Sequence, residues 1–273
     1  MRPNLPPPQP PEWYSLSYSL GFMFRRKRLF GWSVLLFLAT AGLTTACYQL
    51  STGYIDSITG DFLTSPPAAE SVWGWVKYYG WVAGKWLFLI VSRIVSFYLA
   101  FMIAYCLTTP GYVFLSTAAE KIHTGDNFFS DAGFSPAGIL IDILEGFKIA
   151  LFGVLITVVA LLVNFIPALG QGAVFLLYAF YSALMFIDYP ASRRRWSLGR
   201  KISWLREHSG SALRLGLLPA AVSMVPVLNV FLMSLLFPLL TIQSTLNFCA
   251  IESHKAKFKA YPSKTQEKPP KWE

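Results

Sequence analysis

The chemistry open to this chain rests on its charged side chains, and the densest set is Asp188-Tyr189-Pro190-Ala191-Ser192-Arg193-Arg194-Arg195-Trp196-Ser197-Leu198-Gly199-Arg200-Lys201. Arginine presents a planar fork of donors that matches an oxyanion, and lysine adds a point charge, so Arg193, Arg194 and Arg195 suit an anion-attracting vestibule. The same stretch also reads as a helix stop at Pro190 and a basic loop, with Asp188 paired to a nearby arginine. Arg93 is the one charge between Trp86 and Leu107. It either snorkels to the headgroups or joins an ion path, which makes it a further vestibule candidate. A second basic block, Arg25-Arg26-Lys27-Arg28, abuts an uncharged run and suits topology and anionic headgroups rather than nucleic acid.

Other chemistries find no support. His123, His208 and His254 have no partners at metal-ligand spacing, and the sequence carries no HExxH, GxSxG, P-loop or GxGxxG. Catalysis, a metal and a cofactor are therefore not expected. Cys47, Cys106 and Cys249 are odd in number and sit in apolar runs, as small buried hydrophobes do.

The elements that must carry these charges belong in lipid. Of 273 residues, 54% are hydrophobic and 14% charged, against roughly 25% charged in a soluble domain. The formal charge of +9 is concentrated in the two basic blocks and in the segment from Lys255 to Lys271. Residues 1–11 are proline-rich and read as a disordered tail, 12–254 as one helical membrane domain, and 255–273 as a basic cytoplasmic tail.

Leu29 to Leu50 is an uncharged run of 22 residues, about 33 Å as a helix and enough to cross a core of about 30 Å. Ser51 to Gly80, with its glycines, prolines and acids, reads as a polar loop on the opposite face. A second long helix starts at the aromatic belt from Trp73 to Trp86 and continues to Leu107. Thr108 to Lys148 is more polar. Within it, Gly125-Asp126-Asn127 marks a turn, and Ile139, Ile143, Phe147 and Ala150 are spaced as the apolar face of a helix.

Ile149 to Ile187 is broken by Pro167, and Leu215 to Ile251 is an uncharged run of 37 residues. As one helix that run would reach about 55 Å, so it must fold back. Met224-Val225-Pro226-Val227-Leu228-Asn229 echoes Phe165-Ile166-Pro167-Ala168-Leu169-Gly170. Both read as tips of helical hairpins, at Pro167 and Gly170 and at Pro226 and Asn229. The arm from Leu215 to Val225 is only about 17 Å long and cannot cross alone. The expected fold is thus an all-α integral membrane protein with two long transmembrane helices and two proline-tipped hairpins, at least one only partly inserted. Backbone exposed at a tip needs protein or a water-filled cavity around it, which favours a homo-oligomer. Counting basic residues puts both termini on the cytoplasmic face.

Asn164 to Gly170, Asp188-Tyr189-Pro190-Ala191, the arginine-rich stretch, Arg214-Leu215-Gly216 and Met224 to Asn229 together resemble the CysZ sulfate permease family, which shares its domain with the eukaryotic etoposide-induced membrane proteins. The likeness is best over residues 100–252, where Thr109-Pro110 and Ala118-Ala119-Glu120 also look like family positions. The resemblance implies sulfate uptake across a bacterial inner membrane for cysteine synthesis and sulfur assimilation. It also implies an oligomer in a lipid bilayer. Members carry a Gly-Leu-Arg motif associated with sulfate just before the first long helix. This chain has Arg26-Lys27-Arg28 there, so the family's arginine carries over to Arg28, with Arg26 and Lys27 as neighbours. A membrane scaffold or regulatory protein of the same domain family is the alternative role.

Overall fold

The computed structural model describes residues 13–125, 136–167, 169–225 and 228–260. The described residues form eight helices and no strand: α1 (Leu16–Phe24), α2 (Lys27–Thr64), α3 (Val72–Thr124), α4 (Pro136–Val163), α5 (Gly170–Arg193), α6 (Leu198–Glu207), α7 (Ser209–Ser223) and α8 (Leu228–Ala260). Five stretches are long and apolar enough to cross a membrane: Lys27–Gly60, Val72–Thr124, Pro136–Val163, Gly170–Arg193 and Leu232–Ala256. The chain is an all-α, multi-pass membrane protein.

Local chemistry sets the helix ends. Ser15 and Ser71 each accept a backbone N–H in the first turn, from Tyr18 and Gly74, satisfying donors that a helix start leaves free. Gly125 ends α3 at φ 56°, a conformation glycine adopts without strain. The stretch between α4 and α5 is the expected hairpin tip: the amides of Asn164 and Gly170 donate to Ala160 and Ile166, and the Gln171 amide donates to Asn164 Oδ1 at 2.6 Å. Pro167 is exposed there and Gly170 buried. A Cβ on Gly170 would lie 2.7 Å from the Val163 carbonyl oxygen, so the close return requires glycine. The second hairpin also forms, since α7 ends at Ser223 and α8 begins at Leu228. Its Pro226 tip lies outside the described residues, and Asn229 falls in the first turn of α8. The 15 residues of α7 reach about 22 Å, short of a crossing.

Three expectations require correction. The polar loop from Ser51 to Gly80 is mostly helix, because α2 continues to Thr64 and α3 starts at Val72. The two helices pair along their length and stabilise each other: Arg93 donates to both carboxylate oxygens of Asp56 at 2.8 Å, and Lys85 Nζ donates to the Leu63 carbonyl at 2.8 Å. The segment after Leu107 likewise remains helical to Thr124, running through Pro110. In α4 the helix is as expected but one position of its apolar face is not. Ile139 and Ile143 are half-buried and Ala150 is buried, whereas Phe147 is exposed; Gly138, Gly146, Ile149 and Gly153 are buried as well.

Small residues bring the helices close, as dispersion-driven packing in lipid favours. Gly111 of α3 meets Leu36 of α2, Gly146 of α4 meets Thr109 of α3, Gly153 meets Tyr181 of α5, and Gly216 of α7 lies against the Ala179 carbonyl of α5. The most enclosed of the candidate spans is that of α8. Its Thr241, Ser244, Thr245 and Asn247 are buried. Ser244 donates to the Phe186 carbonyl, Thr245 bonds Ser116, and Asn247 exchanges hydrogen bonds with the Tyr14 backbone.

Candidate functional site

The charged residues converge where α3, α4, α5 and α6 meet. Glu120, near the end of α3, receives two arginines: Arg193 lies against Oε2, and Arg194 donates to Oε1 at 2.8 Å. Arg195 is the one described non-glycine residue with positive φ, at 53°. Its amide donates to the Ser192 carbonyl, forming a tight turn that ends α5. This strained turn sends successive arginines to different partners, because Arg194 reaches Glu120 while Arg195 approaches Asp142 of α4 at 3.9 Å.

Beside this group sits a fully buried pair. Lys201 Nζ lies 2.6 Å from Asp188 Oδ1, with both side chains at 0% exposure. Ser192 donates to the same carboxylate oxygen at 2.8 Å and accepts from Lys201 at 3.1 Å. Glu145 lies 3.4 Å from the lysine on its other side and also holds Lys148. Asp188 was expected to pair with an arginine of its own loop, but its partner is Lys201, one helix further on. Four cations thus meet four carboxylates: Arg193, Arg194, Arg195 and Lys201 against Glu120, Asp142, Glu145 and Asp188.

The vestibule set therefore divides. Arg193, Arg194 and Arg195 are together. Arg93 is bound to Asp56, about 40 Å along α3 from Glu120 at 1.5 Å per residue, so it does not share their site.

The block at the start of α2 is organised differently. Arg26 stacks on the Phe22 ring at 3.8 Å and donates to the Phe22 carbonyl at 3.3 Å. Arg25, Lys27 and Arg28 are exposed, and no described residue engages their side chains. Arg26 is also the N-cap of α2, with no side-chain cap bond, so the first turn of α2 presents free backbone donors beside Arg28. The α2–α3 pairing runs through Thr40 with Thr108, Leu36 with Gly111 and Asp56 with Arg93. Continued to the start of α2, that register brings Arg28 level with Ala119 and Glu120. A rim of exposed cations thus stands at the height of the buried ion pairs.

Sequence reasoning noted Glu120 only as a family position and read Asp142 and Glu145 only as part of a polar segment. One signal was available: Asp142 and Glu145 are three apart and flank one helix face with Gly138 and Gly146, a polar stripe with small neighbours in a helix otherwise apolar.

The sequence model of the sulfate transporter CysZ/etoposide-induced protein 2.4 family matches residues 15–234. The chain belongs to this family. Among its relatives is the sulfate transporter CysZ of Pseudomonas paraeruginosa, 22% identical over 172 residues that cover 61% of this chain and 68% of the relative. The CysZ family is one of transporters, and this member is a transporter-like membrane protein rather than an enzyme.

Proposed function

We propose that the chain is a permease for sulfate or a related oxyanion in the cell inner membrane, feeding sulfur assimilation. In this reading it works as a homo-oligomer with both termini on the cytoplasmic face. The observation that carries the reading is the exposed, unpartnered cationic rim of Arg28 and Lys27 on the uncapped first turn of α2, level with the ion-paired cluster. Exposed charges and oriented amides concentrate and hold an anion. The relative's name supplies sulfate. The paired arginines Arg193, Arg194 and Arg195 then serve as an inner relay: an entering dianion competes with Glu120 and Asp142 for guanidinium groups already positioned by the α5–α6 turn.

One observation favours the scaffold role, namely that Arg193, Arg194, Arg195 and Lys201 are each ion-paired to a carboxylate, which leaves none of these four unengaged for an anion. Radiolabelled sulfate uptake into proteoliposomes decides between the two. Saturable uptake is expected, and leak-level flux through folded protein would leave the scaffold role standing.

A further inference from the structure

The four basic residues at the α1–α2 junction do not act as one block. Arg26 is committed to Phe22 through its stacking and hydrogen bond, whereas Arg25 projects freely from the end of α1. Along α1 runs a groove of about 530 Å³ lined by Ser17, Tyr18, Gly21, Phe22, Arg25 and Arg26. Gly21 forms its notch, because a Cβ there would meet nothing within 4 Å. The groove lies at the membrane boundary, since α1 directly precedes the span beginning at Lys27. Tyr18, Leu20 and Phe24 are exposed on α1, and Phe24 stacks on Phe30 of α2 at 5.1 Å, so the exposed apolar surface continues into the spanning helix.

We propose that this groove seats one anionic phospholipid of the adjoining leaflet. The Arg25 guanidinium takes its phosphate, and the glycerol and upper acyl carbons lie over Gly21 beside the exposed Tyr18 ring. Charge complementarity and position select this occupant. A guanidinium fork matches two phosphate oxygens, aromatic rings favour the headgroup level, and anionic leaflets supply the ligand at high local concentration. A free oxyanion has the charge but nothing to cover the exposed Tyr18 ring. The assignment is independent of sulfate at Arg28, and it divides the quartet into a lipid anchor at Arg25, a packing residue at Arg26 and a substrate rim at Lys27 and Arg28.

The test uses the full chain purified in neutral detergent, with thermal unfolding followed on titration with phosphatidylglycerol, phosphatidylcholine or inorganic phosphate. Phosphatidylglycerol should stabilise the wild type and the others should not. Arg25→Gln and Gly21→Leu should each weaken the lipid response about tenfold, the loss of one charge-assisted contact or of the seat itself. Gly21→Leu keeps every charge and improves helix propensity, so its loss would come from the filled groove. Sulfate binding should persist in both variants, and Arg28→Gln should keep the lipid response. An unchanged phosphatidylglycerol response in Arg25→Gln and Gly21→Leu would overturn the proposal. So would inorganic phosphate reproducing the stabilisation, which would reassign Arg25 to a free oxyanion.

Discussion

Asp188 and Lys201 have no water to fall back on, since both side chains are fully buried in the same contact. Removing one partner leaves the other charge uncompensated, at a cost of about 3–5 kcal/mol, whereas replacing both with apolar residues is often neutral. Asp188→Leu and Lys201→Met should each lower the melting temperature in detergent strongly, and the double variant should recover most of the loss. Single variants that melt like the wild type would show that the pair contributes no coupling. Arg28 is predicted to behave otherwise, because it is exposed and unpartnered. Arg28→Ala should weaken sulfate binding by about 10- to 100-fold, the worth of a charge-assisted hydrogen bond of about 1.5–3 kcal/mol. Arg25→Ala should leave sulfate binding nearly intact, and equal small losses at both positions in calorimetric titration would remove Arg28 from the site. The arginine cluster itself was legible, because Arg193, Arg194 and Arg195 are contiguous. Its partner was not: Glu120 is 74 positions from Arg194, and the pairing exists only because α3 and α5 lie together.

The helical hairpins were legible at the scale of elements because their evidence is arithmetic. A run too long for one crossing, interrupted by proline and a turn-former, has one solution. The continuation of α2 was not legible. Gly53, Asp56 and Gly60 weaken an isolated helix, but pairing with α3 gives Asp56 a partner in Arg93 and gives the Leu63 carbonyl a donor in Lys85. Phe147 on the expected apolar face of α4 misled for a different reason. Apolar periodicity marks the core side of a helix only when the other side faces water. In lipid the most apolar residues can face outward, as Phe147 does, while Asp142 and Glu145 turn toward Arg195 and Lys201. Glycine contacts carry the complementary information. A Cβ at Gly216 would collide with the Ala179 carbonyl of α5, whereas one at Gly172 meets nothing within 4 Å. Gly216→Val should therefore destabilise the α5–α7 contact by at least about 1–3 kcal/mol. Gly172→Ala should be neutral or slightly stabilising. Paired thermal melts check this, and a Gly216→Val melt equal to the wild type would refute the close crossing.

Length and charge set the arrangement of the whole molecule in the bilayer. The turn between α2 and α3 lies at the far end of two paired helices from the basic block, so cysteines at Glu70 and Arg206, both exposed, should react with impermeant reagent from opposite sides on a cysteine-free background. Labelling of both from one side in every molecule would reject the topology. The apolar surface of the same pair is longer than a membrane requires. On α2 it begins at Phe30, and on α3 it extends through Tyr98, Val95, Ile94, Val91 and Ile90 to Trp86, all exposed. Trp86 adjoins Lys85, which reaches Leu63, so the surface extends over about 48 Å at 1.5 Å per residue, against a hydrocarbon core of about 30 Å. Strong tilt would hide part of the excess. It would also leave the Arg93–Asp56 pair, 34% and 50% exposed, within or beside lipid, where charge is costly. In the proposed homo-oligomer, a second copy packed along the distal half of α2 and α3 would cover both the surplus apolar surface and the ion pair. Spin labels at Ile90 should then report a defined distance between copies that survives dilution into excess lipid. Loss of that distance on dilution, with sulfate uptake intact, would establish the monomer as the working unit.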